Sequence, residues 1–351
     1  MYNGVIIVNK EKDFTSHDVV AKLRGIVKQK KIGHTGTLDP QAEGVLPVCL
    51  GNATKLCDIL TDKRKEYVAE LLLGVTTDTQ DLTGKVLRKV SFGKDGGEEN
   101  RSHPAGEPNC EETVNGEQSC KASECREIIS EEKIREAIAS FKGKSMQIPP
   151  MYSALKVNGK KLYELAREGK EVERTPRPIE IYELEILSVE LPVVQIRVLC
   201  SKGTYIRTLC NDIGDKLGCG GCMKSLVRTR VESFSLENAH TLSQIEEIRD
   251  EGNLWKLIIP VDEVFGGLSK IRIKKEYAPV VENGNICAPE FLQERVDAKD
   301  GEHFLMYHSD GRFFGIYEFV EREAVLKPYK MFIPTDNAKE HKLYADYRKY
   351  H

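Results

Sequence analysis

The 351-residue sequence predicts a mixed α/β body followed by a small β-rich carboxyl-terminal domain. Apolar runs of strand length (VIIVNK, KEYVAELLL, IEIYELEILSVEL, VVQIRVLC) are interspersed with segments of helical period. Beyond Pro260 the pattern changes to short strands and turns, and Asp310-Gly311 between FLMYH and RFFGIYEFV is a hairpin signal. A boundary next to Asp262 follows, giving domains 1–261 and 262–351.

Taken in order, MYNGVIIVNKEKDF reads as a first strand, because its apolar run is short and charges follow at once. Ser16 is expected to cap a helix, with Asp18 in its first turn and Val20, Leu23 and Val27 at helical spacing to about Lys28. That helix delivers the chain into a glycine-rich loop. Lys65 to Leu73 reads as a buried strand. Residues 92–127 are rich in Gly, Glu, Asn, Ser and Pro and read as a mobile insertion unable to bury enough apolar surface to fold. Structure resumes at Ser130, capping a helix with Ile134, Ala137, Ile138 and Phe141 on one face. Two strands meet at Pro192, and Thr208 to Leu217 forms a helix burying Leu209, Ile213 and Leu217.

Composition narrows the function. The chain is 40% hydrophobic and 30% charged, and no apolar run approaches the roughly 20 residues of a membrane span, which points to a cytoplasmic protein. Its net charge of −3 hides an uneven distribution. Residues 91–127 carry nine acidic and four basic side chains, so one acidic segment masks a basic remainder. Residues 142–178 carry nine Lys/Arg against four Glu. Ten cysteines imply neither disulfides nor metal. Cys219-Gly-Gly-Cys222 is a single CxxC, where a structural zinc needs four ligands. Cys110, Cys120, Cys125 and His103 are irregularly spaced. Gly143-Lys144-Ser145 lacks the upstream glycine of a phosphate loop, and no GxGxxG or HExxH signature offers a cofactor or metal.

Three segments remain unusual. GHTGTLDPQAEGVLPV packs three glycines, two prolines, His34 and Asp39 into one loop, richer than a connector requires. A carboxylate held there is either a turn-former or a reactive group. Met151 to Tyr163 interleaves aromatics with Lys156, Lys160 and Lys161, as binders of looped RNA often do. Ser201 to Arg207 follows a strand and opens a helix, where backbone donors and Arg207 could hold an anion and Tyr205 could stack on a base. Each alone also has a plain reading as turn, solvated face or cap.

Together they resemble a known family. GHTGTLDPQAEGVLPVCLGNATK, the KEY of Lys65 to Tyr67, IPPMYSALKVNGKKLYELAREG and CSKGTYIRTLCNDIGDKLG are similar, in this order, to bacterial tRNA pseudouridine-55 synthases of the TruB type, over residues 3–91 and 128–250. SDGRFFGIYEF and LKPYKMF resemble the small PUA-like RNA-binding domain that ends this family. The resemblance implies an α+β fold: a mixed, mainly antiparallel sheet with flanking helices, then the PUA-like domain. It makes Asp39 the catalytic aspartate and His34 a loop residue that helps hold the flipped RNA. It makes Tyr67 the ring stacked on the target base, with a part in proton removal, and Tyr205 and Arg207 the pair that pack on the base and ion-pair with the aspartate. Lys55 and Leu226 become pocket residues, and segment 142–178, with Lys156, Lys160 and Lys161, a mobile RNA-closing element. It further implies a monomer acting on the T-stem-loop of tRNA, without cofactor, metal or guide RNA. One departure stands out. The family's Lys-Pro-x-Gly is here Lys10-Glu11-Lys12-Asp13, expected to alter a surface turn rather than the aspartate. Three alternatives stay open: an RNA-folding module without chemistry, a guide-dependent relative, and a nucleoside hydrolase.

Overall fold

A computed structural model describes residues 1–90, 129–157 and 159–332. The acidic segment 92–127, with Cys110, Cys120, Cys125 and His103, lies outside the described residues. The chain opens with β1 (Gly4–Lys10), α1 (Ser16–Val27), β2 (Ile32–His34), β3 (Glu43–Leu50), α2 (Cys57–Thr61) and β4 (Lys65–Leu73). It continues with β5 (Val75–Thr77), β6 (Val86–Lys89), α3 (Glu131–Ala139), β7 (Gly143–Gln147), β8 (Lys156–Val157), β9 (Lys160–Lys161) and α4 (Leu162–Arg167). Then come β10 (Arg177–Glu190), β11 (Val193–Cys200), α5 (Ile206–Lys216), β12 (Gly221–Val231), β13 (Phe234–Ser235) and α6 (Leu242–Asp250). The last elements are β14 (Ser269–Arg272), α7 (Ala278–Glu282), β15 (His303–Tyr307), β16 (Phe313–Val320) and β17 (Val325–Met331). The expected mixed, mainly antiparallel sheet with flanking helices is present.

The chain divides into two compact units. The first comprises Met1–Val68, Leu199–Lys202 and 226–332 of the described residues; the second comprises Ala69–Val198 and Gly203–Ser225. The expected boundary at 261/262 falls inside the first unit.

In the first unit the strand order is β1-β3-β12-β4, with β2 beside β3 and β13 beside β12. β3 is antiparallel to β1 from Gly4↔Leu50 to Lys10↔Gly44. Its other edge is shared. β2 lies antiparallel to it at Gly33↔Cys49 and His34↔Val48, and β12 lies parallel at Val227↔Glu43 and Arg228↔Gly44. Period-two alternation splits the apolar side chains between two cores. Ile6, Val8, Leu46, Val48 and Leu50 meet Val19, Val20, Leu23 and Ile26 of α1 and Leu242 and Ile245 of α6. Val5, Ile7, Val45 and Cys49 meet Leu305, Tyr307, Phe313 and Ile316 of a second sheet ordered β14-β15-β16-β17. Each such aliphatic side chain contributes about 1.5–3 kcal/mol by leaving water. The hairpin expected at Asp310-Gly311 joins β15 to β16, closed by His308 N–H to the Arg312 carbonyl at 2.7 Å.

α1 corrects one expectation. Its cap is Thr15, whose hydroxyl accepts from Asp18 N–H while the Asp18 carboxylate accepts from Thr15 N–H. Both residues can cap, and the acidic side chain three positions after Thr15 decides between them. Ser16, one residue inside, is buried and bonds elsewhere.

In the second unit β12-β4-β11-β10-β7 form the sheet, with Val194, Ile196 and Val198 buried on β11. α3 is capped by Ser130 as expected and buries Ile134, Ala137 and Ile138. α5 starts at Ile206 and buries Leu209 and Ile213, whereas Leu217 is half-buried. Gly143-Lys144-Ser145 lies on strand β7. Cys219 and Cys222 are both buried, and the Cys219 thiol faces the Gly214 and Gly220 carbonyls.

Gly44 is where β3 meets β12. Its φ is +104°, and a Cβ there would stand 2.3 Å from the Arg228 carbonyl oxygen and 2.9 Å from its nitrogen. Both objections are to backbone, which cannot swing aside. Gly44→Ala is therefore expected to lower unfolding free energy by about 3 kcal/mol or more. A urea denaturation midpoint matching the wild type would refute this.

Candidate active site

Asp39 sits in the connection between β2 and β3, and the main chain is pinned on both sides of it. Thr35 N–H donates to the Pro47 carbonyl at 3.1 Å. Leu38 N–H donates to Ser16 Oγ at 2.9 Å, and that hydroxyl contacts the Leu38 carbonyl at 3.4 Å. Lys10 Nζ donates to the Pro40 carbonyl at 3.0 Å, and Asp13 N–H to the same carbonyl at 2.9 Å. Ala42 N–H closes a turn on the Asp39 carbonyl at 3.0 Å. A loop with its backbone groups satisfied in this way is a rigid mount for a side chain.

Arg228 clasps the loop from β12. It is fully buried, its Nε donates to the Val45 carbonyl at 2.7 Å, and Nη2 lies 3.4 Å from the Gly36 carbonyl. Its side chain also hydrogen-bonds Tyr67. Leu226, two residues earlier on the same face of β12, is buried as well. Tyr67 lies on β4 and is almost fully buried. Burial raises its phenol pKa, opposed by Arg228 and assisted by Cys200 and Asp39, so the ring carries its proton at neutral pH.

Lys10 is the cation tied electrostatically to the Asp39 carboxylate. Lys10 is wholly buried and its pKa falls to about 8 through burial, with Asp39 the leading opposing charge and Glu43 next. Lys65, at the start of β4, is likewise pushed to about 8 by burial and then Arg228, and donates to the Thr61 and Lys63 carbonyls at 2.8 and 2.7 Å. His34 is driven the other way from positive charge. Burial, then His17 and Arg228, lower its pKa, and its ring stands edge-on to His17 with centroids 5.4 Å apart. Gly36 N–H points at Nδ1 at 3.4 Å, which assigns the ring hydrogen to Nε2.

Lys55 Nζ donates to the Met331 carbonyl of β17 at 2.8 Å. Tyr205 and Arg207 belong to the second unit. Tyr205 caps α5 and exchanges hydrogen bonds with the Gln147 side chain at 2.8 and 3.0 Å. Arg207 is buried, donates to the Thr79 and Tyr152 carbonyls at 3.2 and 3.0 Å, and lies 3.7 Å from Asp81 Oδ2. Lys156, Lys160 and Lys161 form the β8–β9 hairpin, where Lys161 Nζ donates to the Tyr163 hydroxyl at 3.1 Å and Lys160 lies 3.5 Å from Glu168. No group of three or more His, Cys, Asp or Glu among the described residues could hold a metal ion.

Comparison with known proteins places this architecture. The profile described as TruB family pseudouridylate synthase (N terminal domain) matches residues 24–100 and 109–206, and the tRNA pseudouridylate synthase B C-terminal domain matches 207–265. The protein named tRNA pseudouridine synthase B of Lachnoclostridium phytofermentans is 48% identical over 94% of this chain and 100% of its own. The chain belongs to the TruB family of pseudouridine synthases. That of Alkaliphilus oremlandii is 42% identical over 87% of this chain and 89% of its own. Among solved structures, a Cbf5-Nop10-Gar1 complex superposes with a TM-score of 0.63 at 26% identity, over 94% of this chain and 85% of the other.

The family's usual Lys-Pro-x-Gly gains a structural meaning here. Asp13 takes the glycine position with φ +68°, a region that Asp tolerates better than most residues. Its carboxylate accepts from Gln41 Nε2 at 2.8 Å, so the altered turn is bonded to the Asp39 loop rather than standing apart from it. Lys10, Ser16, Lys65 and Arg228 are supports that motif reading missed. For Arg228 a signal existed, namely a charged residue two positions from Leu226 on a strand whose alternate residues are buried.

A lysine whose pKa falls from 10.5 to about 8 on folding binds fewer protons in the native state between those values. The cost of burying its charge is in full force below pH 8 and is relieved as the pH rises toward 10.5. Wild type should thus gain up to about 3 kcal/mol relative to Lys10→Met across this window. Urea midpoints of both proteins at neutral and alkaline pH measure it, and a constant difference would exclude a buried, depressed Lys10.

Proposed function

We propose that this protein isomerises the uridine at position 55 in the T-loop of tRNA to pseudouridine. The observation that carries the reading is Asp39, a single carboxylate on a loop whose main chain is hydrogen-bonded on both sides of it, with Lys10 and Tyr67 as its electrostatic neighbours. The N-glycosidic bond breaks, the uracil turns, and C5 joins C1′ while a proton leaves C5 and N1 gains one. Atoms and electrons balance without a redox partner. A hydrolysing glycosidase needs a second carboxylate to activate water, whereas an isomerase must keep water out. Asp39 acts as the nucleophile, on C1′ or on the base, and must be ionised to do so; the nearby Lys10 ammonium favours that state.

The target lies inside a folded loop and must be flipped out to meet Asp39. Tyr67 offers a face for stacking that offsets part of the unstacking. His34, neutral and carrying its hydrogen on Nε2, serves as a donor toward the displaced RNA. Tyr205 and Arg207 retain the base-packing roles that the family's motif gives them. The hairpin with Lys156, Lys160 and Lys161 binds RNA phosphates, and residues 262–351 act as a PUA-like RNA-binding domain. The protein works in the cytoplasm as a monomer, on tRNA alone and without guide RNA.

Incubating purified protein with unmodified tRNA, or with the bare T-stem-loop, and mapping pseudouridine tests this. Wild type should modify position 55 alone, and Asp39→Asn should lose at least about a thousandfold in rate while still binding RNA. Wild-type activity in Asp39→Asn, release of free uracil, or dependence on an added RNA would each overturn the reading. Lys160→Ala/Lys161→Ala should weaken T-stem-loop binding and reduce the slope of log K against log salt by about 1–2. An unchanged slope would remove the hairpin from the RNA interface.

A further inference from the structure

Arg228 has no place in the chemistry above, yet it is buried to 0% exposure and bonds both the Asp39 loop and the strand that follows it. Its partners are the Val45 carbonyl at 2.7 Å, the Gly36 carbonyl at 3.4 Å and the Tyr67 side chain. All three are neutral oxygens. A guanidinium has five N–H donors and no acceptor, so the Tyr67 hydroxyl oxygen is the acceptor and its own hydrogen points away from Arg228. Burying a cation against neutral partners is costly, and ordinary loop support does not require it. What a guanidinium supplies is a planar fork reaching three acceptors at once, which an ammonium on a flexible stem cannot reproduce.

The three acceptors straddle the chemistry. Gly36 precedes Asp39 on the loop, Val45 follows it on β3, and Tyr67 comes from a different strand. We infer that Arg228 is a positioning residue of the isomerisation, locking the Tyr67 ring and the Asp39 loop into one hydrogen-bonded unit so that the stacking face and the carboxylate keep a fixed separation. The close passage of Arg228 backbone against Gly44, which admits no Cβ, holds the origin of the fork in place. This inference rests on the reading of the site as a pseudouridine synthase centre. It adds that catalysis depends on a contact between two groups, neither of which need lose its own place in the fold when the contact is cut.

The test measures single-turnover pseudouridine formation on saturating T-stem-loop, alongside RNA dissociation constant and melting temperature, for wild type, Arg228→Lys, Tyr67→Phe and the double variant. Arg228→Lys keeps the charge and loses the fork. It should lower the rate by about tenfold to a hundredfold while the dissociation constant stays within about threefold. In the Tyr67→Phe background, where one acceptor is already gone, the same substitution should cost no more than about threefold. Equal losses in both backgrounds, a wild-type rate in Arg228→Lys, or a loss confined to RNA affinity would overturn the inference. Should Arg228→Lys not fold, nuclear magnetic resonance of the arginine side-chain N–H groups gives a second reading. Tyr67→Phe should then shift the slowly exchanging Arg228 signals, and unchanged signals would overturn the contact. Wild-type protein that forms no pseudouridine overturns the functional reading, and the role of Arg228 with it; the other outcomes touch Arg228 alone.

Discussion

Strand β3 offers one edge to β1 and must find partners for the other, and two strands divide that second edge between them. β2 takes Val48 to Leu50 and β12 takes Glu43 and Gly44. Between them the ladder has to be completed by other means, since buried backbone groups left unpaired are costly. Thr35 satisfies the Pro47 carbonyl with both its N–H and its hydroxyl, and Pro47 has no N–H to place. The Val45 carbonyl is taken by the Arg228 side chain. The chain from Thr35 to Ala42 leaves the sheet at this gap, so the position of Asp39 follows from how the edge of β3 is shared.

That position gives the carboxylate its electrical surroundings. Lys10 ends β1 opposite Gly44, and Arg228 lies beside Gly44 on the other edge. The two cations therefore flank the same residue of β3 from its two neighbours, each held by carbonyl oxygens of the loop or strand. Burial weakens both charges, pushing Lys10 to about 8 and lowering Arg228 from its ordinary value, yet Lys10 still carries its proton at neutral pH. The attraction between Lys10 and Asp39, with Glu43 next, opposes the cost of burying the lysine charge.

Much of this was legible from residue patterns. The alternation in KEYVAELLL, the Ser130 cap and the Asp310-Gly311 hairpin all reappear because each is a local signal that packing reinforces. Asp39, His34 and Tyr67 were found through motif resemblance, and the first unit brings their surroundings together. Thr15 in place of Ser16 as the cap shows the limit of local reasoning. Both hydroxyls can cap, and the one left over is used for a tertiary bond to Leu38 that spacing does not encode. Arg228 and Lys10 were missed for the same reason. A single basic residue in a strand reads as solvated until the fold buries it, and only the pairing of distant strands shows what its nitrogens must reach. The Asp13 turn looked peripheral because its contact with Pro40 and Gln41 spans the whole of α1.

The loop's rigidity also draws on the two cores. Val45 belongs to the core shared with the carboxyl-terminal sheet, and Leu46 and Val48 to the core under α1 and α6. A one-residue slip of β3 would exchange these faces and bury each side chain against the wrong partners. Ile6 and Val8 on one face and Val5 and Ile7 on the other impose the same register from β1. The residues immediately after the loop are thus fixed by apolar packing on two sides, and those before it by the three-residue β2 pairing. A loop so rich in glycine and proline would otherwise sample many conformations. Here the hydrophobic effect, acting through register, sets where the loop begins and ends, and the few hydrogen bonds from Lys10, Ser16 and Arg228 have only the remaining freedom around Asp39 to remove.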